Sequence, residues 1–377
     1  MKVAYVHVLP LEYYPPSTNL LALMSARQSW NVRAWTTANK RGMPDWKGDG
    51  VEIRRIAHPG PGVPLPLRMP GYLAWHLRTA REIAKWKPDV IMSVEPHSAL
   101  ATWMYFRVFR GRAPLFIHHY EYYAPEDFAA SGMRVLRRTM GLERNHLFPR
   151  AAWVSQTNAE RLRMLRSWNA GVTDDAAAVL PNYPPAKWVS NARGIPAAAA
   201  SARTRLVYVG SASFDDAFIG EICLWAAERR DTVSLHVCGN NVAPAVWKWI
   251  DSLGAANITT DRTGVPYDEL PALLRQFDVG LVLYKGNTLN FVHNVPNKAI
   301  EYLACELEVW YPRQMEAMRS FHWEHPGLRM REMNFSALPA TPSKAPVFVD
   351  KSNFPFTAQR VTATLLERME AAARGER

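Results

Sequence analysis

Cysteine is scarce in this chain: three residues in 377, Cys223, Cys238 and Cys305, with no C-x-x-C pair and no cysteine–histidine cluster. That spacing argues against a disulfide framework or a zinc site and fits a reducing cytosol. No stretch approaches the roughly 18 apolar residues needed to span a bilayer. The opening MKVAYVHVL has only Lys2 ahead of a short apolar run and no small-residue cleavage site before Glu12. It reads as a first β-strand and not as a leader peptide. Helix-turn-helix, zinc-finger and RNP signatures are missing as well, so nucleic acid is not an expected partner. No internal repeat is convincing.

What is present suits a globular chain, with 48% hydrophobic and 21% charged residues. At this length two domains are expected, because single cores stop growing at about 250–300 residues. Charge is unevenly spread. Residues 1–186 hold 24 Lys and Arg against 14 Asp and Glu, whereas residues 187–377 hold 21 against 20. The basic field of the first half favours an anionic partner, a phospholipid surface, a lipid-linked diphosphate or a nucleic acid, with a plainly solvated basic surface as the alternative.

Short β-rich runs alternate with helical patterns throughout. In the first half, strands are expected at 3–8, 32–36, 51–56, 90–94, 115–118, 153–155 and 178–180. Helices are expected near 17–29, 72–86, 97–110, 133–147 and 158–167. The proline- and alanine-rich stretch 184–204 breaks this pattern and reads as an interdomain connection. A second alternation follows, with strands at 206–209, 234–237, 258–260, 279–283, 308–310 and 347–349. Its helices are expected near 217–229, 243–253, 267–276, 295–305 and 357–373. Such βα alternation predicts two parallel, doubly wound α/β units. The domains are expected at 1–186 and 205–355, joined by a linker at 187–204 and followed by a C-terminal helical segment, 356–377.

The most informative segment is NVPNKAIEYLACELEV, residues 294–309. Asn294 can cap a helix, Pro296 suits its first turn, and Ile300, Leu303 and Ala304 form its buried stripe. Glu301 lies at i+4 from Asn297, so both can face a ligand above the helix start. A helix N-terminus attracts a diphosphate, and a carboxylate one turn in can accept from ribose hydroxyls. An ordinary capped helix on a sheet is the alternative.

Here the chain resembles the retaining GT-B glycosyltransferases of the family 4-like group, which write this element P-N-K-x-x-E-Y-x-A-x-G-x-P-V. Pro296, Asn297, Lys298, Glu301, Tyr302, Ala304 and Val309 match, while Glu306 and Glu308 stand where the family prefers Gly and Pro. The resemblance implies a GT-B fold, two Rossmann-like domains facing a central cleft. It also implies a nucleotide-sugar donor, UDP- or GDP-linked, and an acceptor that is a cell-envelope glycan or its lipid-linked precursor. Glu301 is then expected on the ribose, with Asn297 and Lys298 near the diphosphate. Lys285, Tyr284, Gly210 and Ser211 join the donor site. His293 occupies the position of the first glutamate in the family's E-x7-E pair.

Two further departures stand out. Relatives carry Arg and Lys after the first strand of the second domain, where this chain reads VYVGSASFDDAF. They also carry a double glycine after the first strand of the chain, where this one reads LPLEYYPPSTN. No D-x-D sequence occurs, so no metal is expected. In the first domain, HHYEYYAPED places His118, His119 and Glu121 at a strand's carboxyl end, as candidates for acceptor binding and proton handling. Glu95 and His97 follow another strand toward the same edge, and Asn182 lies in an LPN turn. The arginine-bearing segments 97–112 and 133–150 are candidates for contact with an anionic membrane from the cytoplasmic side. A non-catalytic scaffold of the same fold is the main rival reading. A nucleotide-sugar epimerase is a third, without a positive feature.

Overall fold

A computed structural model describes residues 1–39, 44–57, 63–129, 131–189, 203–339 and 354–376. The chain divides into two compact units, Met1–Asn182 with Ala358–Arg377, and Tyr183–Thr357.

In the first unit the strands are β1 (Lys2–Val6), β2 (Asn31–Thr36), β3 (Val51–Arg55), β4 (Val90–Val94), β5 (Leu115–His119), β6 (Ala151–Gln156) and β7 (Ala177–Val179). They form one parallel sheet in the order β3-β2-β1-β4-β5-β6-β7. VIMSV of β4 and LFIHH of β5 are buried at every position, as parallel strands covered on both faces require. On one face Ala4, Val6, Ile91 and Ile117 meet Trp75 and Ile83 of the helix Leu65–Trp86 and Tyr105 of the helix Ala99–Arg107. On the other, Tyr5, Met92 and Phe116 meet Leu21 and Met24 of the helix Pro15–Ser25. That second face also holds Leu365 and Met369 of the last helix, Ala358–Ala373, each contributing about 1.5–3 kcal/mol of burial. Glu370 adds an ion pair to Arg27 at 3.1 Å and accepts from the Trp30 indole at 3.2 Å.

The second unit repeats the plan. Strands β8 (Thr204–Val209), β9 (Val233–Cys238), β10 (Ile258–Asp261), β11 (Val279–Leu281), β12 (Glu308–Pro312) and β13 (Met330–Met333) form a parallel sheet ordered β10-β9-β8-β11-β12-β13. The helix Asn297–Ala304 lays Ala299, Ile300 and Leu303 on Val207, Val282 and Val309. Strand order reverses between β1 and β4 in one sheet and between β8 and β11 in the other. At such a switch point the connections diverge to opposite faces and leave a crevice at the strands' carboxyl ends.

Several boundaries differ from expectation. The helix expected from residue 72 begins at Leu65, running through Pro66 in its first turn and Pro70 inside it, at the loss of a main-chain donor. The helix Glu316–Glu324 and strand β13 were not expected; MREM has only two apolar positions and sits at a sheet edge. The strand expected at 347–349 and most of the expected linker, residues 190–202, lie outside the described residues. The first unit ends at Asn182, four residues before the expected boundary, because Trp188 is buried in the second unit's core with its ring 4.8 Å from Tyr267. Among the described residues no helix is long and apolar enough to cross a membrane.

Candidate functional site

Strand β8 ends at Val209, and Gly210 follows with φ +132°. A Cβ on Gly210 would stand 2.7 Å from Lys298 Nζ, and one on Gly239, just past β9, would stand 2.2 Å from the Gly210 carbonyl oxygen. Only glycine at both strand ends allows this approach of two backbones and an ammonium. The Lys298 ammonium lies 4.4 Å from the Tyr208 ring centre and 5.2 Å from that of Tyr284. Tyr284 stacks in turn on Phe291, 4.7 Å between centroids. Burial lowers the Lys298 pKa to about 8, against the pull of Glu301. Ring faces therefore stabilise a cation that water reaches poorly.

Glu301 is one turn further along the same helix and is buried. Burial raises its pKa to about 7, while a hydrogen bond from the Tyr267 hydroxyl (3.0 Å to Oε1) and Lys298 oppose the rise. Next to it, Tyr302 turns its hydroxyl to accept from the Val209 N–H at 3.0 Å, tying the helix start to the end of β8. The helix itself begins at Asn297. Asn294 does not cap it, as the sequence suggested; Pro296 occupies the cap position in extended conformation, with no side-chain acceptor to offer. The Asn294 N–H instead reaches the Phe291 carbonyl at the end of the short helix Leu289–Val292.

Of the expected donor residues, Gly210, Tyr284 and Lys298 are gathered around one ammonium. Asn297 and Glu301 share that helix, and Ser211 accepts from Asn241 Nδ2 at 2.9 Å. Lys285 is directed elsewhere: Nζ donates to the Phe214 carbonyl at 2.7 Å and lies 3.5 Å from Glu221, sharing no partner with Lys298. His293 is half-buried and closes the helix Leu289–Val292. Sequence reasoning missed Tyr208, Tyr267 and Gly239. Tyr267 sits in the turn before the helix Leu270–Leu274, where the sequence suggested that helix would already have begun.

The two motif departures have partners. Glu306 stands just past the helix in the left-handed region, φ 72°, where glycine is favoured. Its carboxylate meets Arg275 at 2.5 Å and its carbonyl accepts from Arg329 at 2.8 Å. Glu308, buried on β12, pairs with Arg331 of β13 at 2.7 Å and accepts from the Trp310 indole at 3.0 Å.

In the first unit the carboxyl ends of β1, β4 and β5 bring the buried His7, Glu95, His118 and His119 together with the half-buried His97. Burial holds His7 and His118 down at about 3 and His97 at about 4, so these three are neutral. His119 is different. Burial opposes its cation, but Glu143 at 3.1 Å and Glu95 outweigh that and raise its pKa. Glu95 adopts φ 62°; its Oε1 accepts from the N–H groups of Tyr120 (2.5 Å) and Glu121 (3.0 Å), and its Oε2 from the Tyr123 hydroxyl. Burial raises Glu95 to about 7, opposed by His119. His118 Nδ1 meets Ser155 Oγ at 2.8 Å.

His118 and His119, expected at a ligand edge, are thus buried, because β5 is an inner strand between β4 and β6 with packed layers on both faces. Glu121 is the member of the trio that water reaches, with Arg161 Nη2 at 4.0 Å. Among the described residues no three of His, Cys, Asp or Glu are gathered as metal ligands.

No protein-family model matches this sequence, and no curated protein is similar enough in sequence to match. Solved structures are similar in fold. Sucrose-phosphate synthase from Thermosynechococcus elongatus superposes with a TM-score of 0.61 at 14% identity, over 100% of this chain and 97% of that one. WaaG, a glycosyltransferase involved in lipopolysaccharide biosynthesis, gives 0.58 at 13%, over 99% and 94%. Anabaena Alr3699/HepE in complex with UDP and glucose gives 0.56 at 14%, over 85% and 82%. The fold of this chain is GT-B, two Rossmann-like units.

Proposed function

We propose that the protein is a glycosyltransferase that moves a sugar from a nucleoside-diphosphate donor to a hydroxyl of a cell-envelope glycan or its lipid-linked precursor. One observation carries the reading: Lys298 and Glu301 stand one turn apart at the start of a helix, over the switch point of the second sheet, with Gly210 against the ammonium. A diphosphate there would meet a cation and first-turn N–H groups, and Glu301 would accept from ribose hydroxyls. The neighbour crystallised with UDP and glucose has the same fold and supports this assignment by analogy.

Retention and independence of metal belong to the same proposal. In such a reaction the C1–O bond to the diphosphate breaks and the acceptor oxygen bonds to C1 on the same face. The acceptor proton passes to the departing phosphate. Lys298 would stabilise charge that develops on the leaving group. Glu121 is the residue we propose for contact with the acceptor, and His118 and His119 shape the edge behind it. A cytoplasmic location, peripheral to the membrane's inner face, completes the reading.

Calorimetric titration with UDP, GDP and their sugars tests the proposal directly. Binding of one diphosphate series, lost in Lys298→Ala and Glu301→Ala, and turnover in the presence of chelator with the donor's anomeric configuration kept in the product, are the expected results. The acidic loop Asp215–Asp216, where relatives carry bases, favours a rival non-catalytic role. Absence of nucleotide binding under all conditions, together with tight co-purification with another glycosyltransferase, would favour that rival.

A further inference from the structure

The helix Arg134–Leu142 continues as a π-helical turn, Glu143–Leu147. The wider turn carries Glu143 inward to His119 and leaves Arg144 on the surface. Arg137, Gly141 and Arg144, at i, i+4 and i+7, then lie along one stripe. They border a cavity of about 460 Å³ whose other walls include Phe128, Met140 and Trp168. Phe128 and Trp168 meet edge to face at 6.1 Å. Arg137 and Arg144 have no ion-pair partner among the described residues, and one oxygen of Asp127 accepts from the Ala124 N–H at 2.8 Å. Nothing lies within 4 Å of a Cβ placed on Gly141, so its lack of a side chain serves no packing and keeps the space open. A glycine within a helix costs about 1 kcal/mol relative to alanine. π-Turns of this kind recur at functional sites.

We propose that this cavity is the subsite for the phosphate-bearing end of a lipid-linked acceptor. Two unpaired guanidiniums hold the phosphate, and the Phe128, Met140 and Trp168 walls take the first carbons of its apolar chain. Paired arginines suit phosphate because the planar fork donates two hydrogen bonds at once. The apolar walls distinguish this ligand from free phosphate. The inference rests on the glycosyltransferase reading above and names its acceptor class.

Octyl phosphate, with inorganic phosphate and octanol as controls, is titrated by calorimetry into the full chain. UDP is titrated into the same samples. Octyl phosphate is expected to bind at least tenfold more tightly than either control. Arg137→Gln and Arg144→Gln should each weaken it about tenfold. Gly141→Leu, which fills the cavity without touching charge, should abolish binding; Gly141→Ala should weaken it and serves if the leucine variant misfolds. UDP affinity should be unchanged in all of them. Equal affinity for inorganic phosphate, unaltered binding in both Gly141 variants, or equal weakening by Arg134→Gln and Arg138→Gln outside the cavity would each overturn the proposal. Failure of UDP to bind wild type while octyl phosphate still does would remove the glycosyltransferase reading and leave the anion site.

Discussion

The Tyr267 hydroxyl donates to Glu301 Oε1 at 3.0 Å, so a loop 34 residues earlier in the chain orients the carboxylate assigned to the donor ribose. The bond holds one carboxylate oxygen and favours its ionised form, in opposition to burial. It also joins the helix Asn297–Ala304 to Trp188, whose ring lies 4.8 Å from Tyr267.

Tyr267→Phe should therefore raise the Glu301 pKa and weaken nucleoside-diphosphate binding about 2- to 13-fold at neutral pH, the worth of one ordinary hydrogen bond that orients the carboxylate without touching the ligand. Glu301→Ala should cost more, on the order of 1.5–3 kcal/mol for each ribose bond. Calorimetry on both variants checks the order; a Tyr267→Phe loss exceeding that of Glu301→Ala would reverse these roles.

Lys298, with a pKa of about 8, should make donor binding take up protons. At pH 8 roughly half of the side chains are uncharged, and a bound diphosphate favours the ammonium. Affinity should fall as pH rises from 7 to 9. The apparent binding enthalpy at pH 8 should vary with the buffer's ionisation heat. Lys298→Arg, which stays charged throughout, should abolish both effects.

Glu306 at φ 72° is paired with Arg275, whose side chain is 7% exposed. Glycine would remove about 1 kcal/mol of backbone strain at that position. It would also leave Arg275 facing a lost partner, at a cost below the 3–5 kcal/mol of a fully buried pair because Glu306 is partly solvated. Glu306→Gly should therefore destabilise the second unit by about 1–2 kcal/mol. Arg275→Met in the glycine background should recover most of that loss in a denaturant titration.

His119, raised by Glu143, should leave a pH signature in the first unit. Its folded pKa exceeds the unfolded value, so its contribution to stability is complete below about pH 6.5 and is lost as pH rises through the folded pKa. His7, His97 and His118 have depressed values and act in the opposite sense, destabilising the fold as pH falls below 6.5 toward 4. The difference in melting temperature between wild type and Glu143→Gln should be largest near pH 6 and shrink toward pH 9.

The parallel α/β alternation was legible along most of the chain because buried strands such as VIMSV and amphipathic helices leave their period in one dimension. The helix Asn297–Ala304 was legible too: PNK-x-x-EY holds its polar residues within seven positions, Pro296 to Tyr302. Composition also placed the basic excess in the first half. The partners of those residues were decided only in three dimensions. Tyr267 reaches Glu301, and Gly239 gives way to Gly210, across separations that leave no local pattern. The sequence marked HHYE as a titratable edge, but burial at the end of β5 decided that His118 is neutral and His119 is paired with Glu143. The arginines of segment 133–150 were visible as charge. Their division into a solvated face and a cavity flanking Gly141 depends on a π-turn and on Phe128 and Trp168, brought to it by separate segments of the chain. Periodicity records which side of an element is buried; which side chains meet depends on how the sheet stacks those elements.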